Sequence, residues 1–222
     1  MTTAPWQTFP ALERLPMFAH AFTLRHPDID VKVDRDEAIR RLWAWHWEVA
    51  HSLGFTRSHL ATAAQVHGDH VAVIREEDDL TRPFEDCDGI VAQAPGLAVG
   101  IYVADCCAVY LADPASGAFG IVHSGKKGSE LGIVRVAIQT MGREFGAKPA
   151  DMIVQLSPCI RPPAYEVDFA ATIRSDAAQA GVPEAQIHDE GVCTSSDTER
   201  FYSYRLEKGR TGRMLAILGR KQ

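Results

Sequence analysis

The stretch that decides the fold is LAVGIYVADCCAVYLADPASGAFGIVHSGKKG, residues 97–128. It contains short apolar runs at residues 97–103, 106–112 and 118–123, and each run predicts a β-strand. A Pro-Ala-Ser-Gly turn at residues 114–117 separates the last two. A parallel crossover needs about a dozen residues or more, so we expect these closely connected strands to be antiparallel neighbours.

Two patterns precede this segment. Residues 34–53 begin with acidic side chains, keep helical spacing of apolar residues and end before a glycine, which predicts an amphipathic helix. Residues 61–67 and 70–75 are typical of strands, and the Gly68-Asp69 pair between them predicts a hairpin turn.

Helical and strand patterns also follow it. Residues 129–145 predict a second amphipathic helix, and residues 152–156 predict a buried strand. Asp168 is expected to cap another helix, and residues 213–218 to form the last strand. Together these elements predict an α+β fold, a single domain over residues 1–222, whose mixed and largely antiparallel sheet is flanked by helices.

The overall composition narrows the class of protein. The chain has 222 residues, 46% of them apolar and 23% charged, which is typical of one folded globular domain. Its net charge of −6 gives no basic surface for nucleic acid or anionic membrane. No apolar run approaches the ~20 residues of a membrane helix, and the start of the chain does not resemble a secretory leader. We expect a cytoplasmic protein that binds neither nucleic acid nor membrane, with its oligomeric state left open.

Five cysteines, an odd number without Cys-x-x-Cys spacing, argue against a disulfide framework. Most are expected to be small buried apolar residues. Only Cys106 has neighbours that favour a second interpretation.

His67, Cys106 and His123 each lie at the end of a predicted strand, next to turn residues. Two imidazoles and one thiolate suit zinc, and three protein ligands with a fourth position for water are typical of a catalytic zinc site. Taken singly, each residue is more typical of a structural role. The sequence therefore indicates a metal site without deciding it.

Residues beside these ligands predict further roles. His123 is followed by a glycine-bearing loop with Lys126 and Lys127, which could bind an anion at the start of a helix. Asp105 precedes Cys106 and is interpreted either as a proton carrier and partner of the site or as a turn-stabilising aspartate. The P-loop motif is incomplete, since Lys127 stands where it needs Ser or Thr, and the zinc deaminase signature is absent.

Several motifs, kept in order from about residue 18 to the C-terminus, resemble one known family. They resemble the laccase-domain proteins, the YfiH-like group of multicopper polyphenol oxidases. The motifs are Gln65-Val66-His67-Gly68, Asp88-Gly89, Val103-Ala104-Asp105-Cys106, His123-Ser124-Gly125-Lys126-Lys127-Gly128, Tyr165-Glu166-Val167, Phe201-Tyr202-Ser203-Tyr204-Arg205 and Thr211-Gly212-Arg213.

The resemblance implies a mixed α/β architecture and a zinc site at His67, Cys106 and His123, with copper as the alternative metal. Members of the family are described as purine nucleoside phosphorylases that also deaminate adenosine. The implied partners are therefore small molecules, a purine nucleoside and phosphate. Arg25 resembles the family's early arginine on the substrate side. Phenol oxidation by copper-loaded protein and peptidoglycan editing are further functions described for the group.

The chain departs from the family pattern around the implied phosphate site. Lys126-Lys127 replaces Trp-Arg, and the Gly-Gly-Val-Ser that usually follows the early arginine is missing. Lysine keeps the positive charge of arginine but loses its planar fork of donors. Metal binding is the property that these changes touch least.

Two other classes of function fit the same residues. Cys106 with His123 as its base would make a thiol hydrolase of amides or esters. A metal-binding or ligand-sensing domain without catalysis is the second alternative. Copper-dependent oxidation of phenols ranks lower, because a single site with one thiolate does not supply several copper centres.

Overall fold

Two mixed β-sheets lie face to face at the centre of the protein, whose computed structural model describes residues 6–75 and 77–222. In spatial order, the first sheet contains β1 (Trp6–Gln7), β2 (Phe18–Thr23), β11 (Met214–Arg220), β6 (Ala98–Val103) and β3 (Leu60–Thr62). The second contains β10 (Ile187–Asp189), β9 (Ile153–Leu156), β7 (Cys107–Ala112), β8 (Phe119–Ser124), β5 (Gly89–Ala92) and β4 (Val71–Val73). The α+β class is as the sequence predicts.

Five α-helices pack around the two sheets in the described part of the chain. They are α1 (Pro10–Glu13), α2 (Arg35–Ser52), α3 (Lys126–Leu131), α4 (Ile133–Phe145) and α5 (Phe169–Gln179). Helix α2 packs its apolar face on the first sheet, while α4 and α5 pack on the second. Within the described ranges, no helix combines the length and apolar character needed to cross a membrane.

Side chains alternate between the two faces of each central strand, as the pleat requires. Tyr110 and Ile121 point inward, against Phe22 and Ile101 of the other sheet. The Tyr110 hydroxyl donates to the carbonyl of Ala21 across the gap, at 2.8 Å. Both faces of these strands are covered, which explains why the sequence shows continuous apolar runs rather than strict alternation.

The connection between β6 and β7 differs from the prediction. Although only residues 104–106 separate the two strands, they belong to different sheets. Asp105 has a positive φ of 78°, so the chain turns sharply there and crosses from the first sheet to the second. Antiparallel pairing is confirmed only for the next connection, where Val109 pairs with Val122.

The predicted hairpin over residues 61–75 is wrong. Strand β3 runs parallel to β6, and β4 runs parallel to β5 in the other sheet. The backbone between them does not pair with itself because its N–H groups donate to the carboxylate of Asp88.

The helical predictions hold with one correction. Asp34 and Asp168 cap α2 and α5, each accepting a backbone N–H at 3.0 Å. The helix predicted over residues 129–145 is instead two helices, α3 and α4, broken at Gly132. Gly132 has a φ of 74°, a left-handed conformation that ends α3 and that glycine adopts without strain.

Candidate metal centre

His67, Cys106 and His123 converge at one end of the second sheet. Each offers one ligand atom, and these atoms all lie within 4.8 Å of one another. The two imidazole rings are nearly perpendicular, at 78°, with centroids 4.8 Å apart. This is the grouping expected of a three-ligand metal site, brought together from segments far apart along the chain.

Strand register places Cys106 beside His123. In the β7–β8 pair, Ala108 lies opposite His123 and Cys107 opposite Ser124, so Cys106 faces Gly125. A Cβ on Gly125 would lie 2.5 Å from the Cys106 sulfur, closer than side chains approach. Glycine at this position is therefore what leaves room for the thiol.

Asp88 supports two of the three residues. Gly89 pairs with Val122, which brings the preceding Asp88 opposite His123. The fully buried Asp88 carboxylate lies 2.8 Å from His123 Nδ1 and accepts the backbone N–H of His67 at 2.9 Å. Burial alone would raise the pKa of Asp88, but hydrogen bonds from His123 and the 66–68 backbone lower it. The carboxylate thus holds the proton on Nδ1 and leaves Nε2 of His123 to face the ligand group.

The buried thiol and imidazole favour their charged forms together. Burial would raise the pKa of Cys106, yet the charge of His123 and hydrogen bonds from both histidines lower it to about 6. Burial would lower the pKa of His123, but the Cys106 thiolate and Asp88 raise it to about 9. A thiolate at neutral pH is the form that binds metal or attacks as a nucleophile.

Asp105 lines the same cavity, but both of its carboxylate oxygens have partners. Oδ1 accepts the Thr194 hydroxyl at 2.7 Å. Oδ2 accepts the Ser203 hydroxyl at 3.0 Å and the backbone N–H of Arg205 at 2.7 Å. Of the two interpretations given by the sequence, these contacts favour an aspartate that fixes the turn and anchors the C-terminal loops.

A cavity of about 870 Å³ opens in front of the three residues. Lys126 lines this cavity, whereas the exposed Lys127 does not. Arg25 also lies outside it. The Arg25 guanidinium binds Glu207 at 2.6 Å and stacks over Tyr202 at 4.4 Å, contacts that hold the C-terminal loop in place.

The structure gives three residues near the metal centre a role that the sequence alone did not predict. Asp88 was visible only as part of an Asp-Gly motif before an apolar run. Arg35 and Arg213 both line the cavity and were given no role. The sequence does contain an indication for Arg35. A cation at the first position of a helix is disfavoured by the helix dipole, which suggests that the residue has a functional role.

Comparisons with known proteins identify a matching family and relatives of similar sequence. A family model described as multi-copper polyphenol oxidoreductase laccase matches residues 30–171 and 167–221. The chain is 31% identical to a purine nucleoside phosphorylase of Deinococcus radiodurans, over 94% of this chain and 92% of that protein. It is 26% identical to the purine nucleoside phosphorylase YlmD of Geobacillus stearothermophilus, over 85% and 81% of the two chains.

Solved structures share the fold. The crystal structure of YlmD from Geobacillus stearothermophilus superposes with a TM-score of 0.87 at 22% identity, covering 100% of this chain and 98% of that one. The structure of the hypothetical protein YfiH from Bacillus licheniformis gives a TM-score of 0.85, also at 22% identity, covering 99% and 100%. At this identity the likeness concerns the architecture alone.

Proposed function

The chain belongs to the multi-copper polyphenol oxidoreductase laccase family, and from this premise we propose that it is a metal-dependent enzyme of purine nucleosides. The proposed reaction is phosphorolysis, with adenosine deamination as a second activity at the same centre. The names of the relatives from Deinococcus radiodurans and Geobacillus stearothermophilus support the substrate class. The convergence of His67, Cys106 and His123 is the single observation that carries the proposal.

The three residues fit a zinc ion. Their donor set of two imidazole nitrogens and one thiolate sulfur is of the kind that zinc prefers, with one coordination position left for water or substrate. Asp88 fixes the tautomer of His123, as partners of ligating histidines commonly do. A bound zinc ion would supply an electrophile and lower the pKa of a bound water molecule. Copper is the alternative occupant.

In phosphorolysis a phosphate oxygen forms a bond to C1′ of the ribose as the glycosidic bond to the purine breaks. The purine leaves with the bonding electron pair and takes up a proton, giving free base and ribose 1-phosphate. The chain's contribution is to hold the two reactants in line and to place positive charge beside phosphate. Lys126, at the edge of the cavity, is proposed to contact the phosphate. The role of Asp105 in this reaction is to keep the loops of the cavity in position.

The direct test supplies inosine and phosphate to zinc-loaded protein and follows release of hypoxanthine and ribose 1-phosphate. Adenosine without phosphate tests deamination through release of ammonia. Cys106→Ala should lose the bound metal, measured by elemental analysis, and both activities with it. Absence of base release and of ammonia from the zinc-loaded wild type would sink the proposal.

A second candidate function is supported by one specific contact. The Cys106 thiolate contacts the His123 imidazole, which in turn contacts the Asp88 carboxylate. This is the arrangement of a thiol hydrolase. Iodoacetamide distinguishes the two functions. A catalytic thiolate should react quickly in protein as purified, whereas a metal ligand should react only after a chelator has removed the ion.

Oxidation of phenols through several copper ions finds less support. Across the described part of the chain, only one group of residues has the spacing of a metal site. Four-electron reduction of oxygen would need further centres.

A further inference from the structure

Arg213 is a buried cation without a salt bridge to any of the described residues. The residue is 8% exposed and lines the 870 Å³ cavity. Its Nη1 donates to the carbonyls of Thr211 and Gly212, both at 2.9 Å. Among residues 6–75 and 77–222, no carboxylate oxygen lies within 4.0 Å of its guanidinium. A buried charge is costly unless it is paired, and two neutral carbonyls compensate it only in part.

A second guanidinium, that of Arg35, lines the same cavity. Burial lowers the pKa of Arg213, and the charge of Arg35 lowers it further, so the two cations repel each other. The ion-pair partner of Arg35 is Asp36 at 3.8 Å, a carboxylate whose side chain is 90% exposed. Such an exposed and long contact contributes little.

The position of Arg35 in the fold is electrostatically unfavourable. It is the first residue of α2, where the partial positive charge of the helix N-terminus disfavours a cation. Arg35 and Arg213, both electrostatically unfavourable where they lie, thus line one cavity. A bound anion would relieve both.

The rest of the cavity wall has the same sign. Its cations are Arg35, Lys126, Arg205, Lys208, Arg210 and Arg213, and its carboxylates are Asp34 and Asp105. Asp34 caps α2 and Asp105 is fully engaged with the C-terminal loops. A positive cavity in a chain of net charge −6 attracts anions and concentrates them at the metal centre.

We propose that Arg35 and Arg213 form an oxyanion site that binds phosphate, either free orthophosphate or the phosphate ester of a nucleotide. The inference rests on the proposed function, whose phosphate it locates. Two guanidinium groups offer the planar forks of donors that suit phosphate. They supply what the Lys126-Lys127 loop lacks, and α3, with six residues, is too short to bind phosphate through its dipole.

Binding of inorganic phosphate to zinc-loaded protein tests the site by isothermal titration calorimetry, at constant ionic strength set with sodium chloride. Arg35→Gln should weaken phosphate binding about 10-fold or more, because charge-assisted hydrogen bonds are lost. Arg213→Lys, which keeps the buried charge but not the fork, should weaken it by a smaller factor. The matched control is Arg40→Gln, which makes the same change on the exposed face of α2, outside the cavity, and should leave the affinity unchanged. Metal content is measured for every variant.

Competition separates the two sources of phosphate. Inosine 5′-monophosphate that displaces orthophosphate and loses affinity in Arg35→Gln identifies a nucleotide, whereas inosine that binds together with orthophosphate identifies the free ion. The proposal is overturned if phosphate does not bind, or if Arg35→Gln and Arg213→Lys bind it as the wild type does. Phosphorolysis with an unchanged KM for phosphate in both variants would refute the site and spare the proposed function. Normal phosphate binding without phosphorolysis or deamination would do the reverse.

Discussion

The carboxylate of Asp88 and the imidazole of His123 are joined by a 2.8 Å contact, and the same carboxylate accepts three consecutive backbone N–H groups of the loop that carries His67. One buried side chain therefore positions both histidines. The contact arises from the register of β5 against β8, so the geometry of the site is built into the pairing of the second sheet.

Asp88→Asn should weaken zinc binding about 10- to 100-fold. The amide cannot both accept the backbone N–H groups and hold the proton of His123 Nδ1, so the imidazole loses its fixed orientation. Competition with a coloured chelator measures the affinity. Asp69→Asn, an exposed change in the adjacent turn, is the control and should bind zinc normally. Equal affinities in the two variants would contradict the positioning role of Asp88.

Gly125→Ala should displace the Cys106 sulfur, since the new methyl group would lie 2.5 Å from it. We expect cobalt-substituted protein to lose the intensity of its sulfur-to-cobalt absorption band. Gly68→Ala is the comparison, because its Cβ would meet Asp88 Oδ2 at an ordinary 3.6 Å. A normal band in Gly125→Ala would show that the thiol has room that the structure does not give it.

Asp105→Asn separates an anchor from a proton carrier. If the aspartate anchors the loops, losing its charge weakens three hydrogen bonds and lowers the free energy of unfolding by about 1.5–3 kcal/mol. Asparagine tolerates the positive φ at this position, so the backbone itself should not be strained. Urea denaturation measures the change. A variant of normal stability that has lost all turnover would instead identify a proton carrier.

His46 should make stability depend on pH. Burial lowers its pKa from 6.5 to about 3, and the nearby Arg213 backbone offsets this only slightly. Below pH 6.5 the His46 imidazole therefore becomes protonated in the unfolded chain but stays neutral in the folded protein. The contribution of His46 is complete above pH 6.5 and is lost as the pH falls toward about 3.

Between pH 7 and pH 5 this loss amounts to about 2 kcal/mol. Urea denaturation of His46→Leu at both values should show a correspondingly smaller difference, while His51→Leu, an exposed change on the same helix, should behave as the wild type. An unchanged pH dependence in His46→Leu would mean that His46 is protonated in the folded state. Leucine also removes two buried nitrogens that find no hydrogen-bond partner among the described residues, so the variant should be at least as stable at pH 7.

Local patterns in the sequence predicted the elements that local forces determine. The caps at Asp34 and Asp168 and the β7–β8 turn follow from side chains only a few residues apart. The division into two sheets did not follow, because it depends on a left-handed residue at Asp105 whose partners lie about ninety to a hundred residues away. The hairpin prediction also failed because of a partner distant along the chain. The backbone N–H of Gly68, which the turn would need, donates to the Asp88 carboxylate instead.

The candidate site shows the same division. His67, Cys106 and His123 could be identified from residue type and motif, and the structure places them together. The roles of Asp105 and Arg25 could not be read from their neighbours along the chain. Both engage C-terminal loops, and only tertiary packing reveals those contacts. Arg213 could not be recognised because its burial and its position in the cavity wall are properties of the folded protein.

His67 follows β3 of the first sheet, whereas Cys106 directly precedes β7 and His123 lies within β8, both in the second sheet. A metal ion bound by all three residues would crosslink the two sheets at one edge of the sandwich. Since the unfolded chain has no such crosslink, each increment of metal affinity is also an increment of folding free energy. Loss of the metal would then lower the stability of the folded protein as well as its activity.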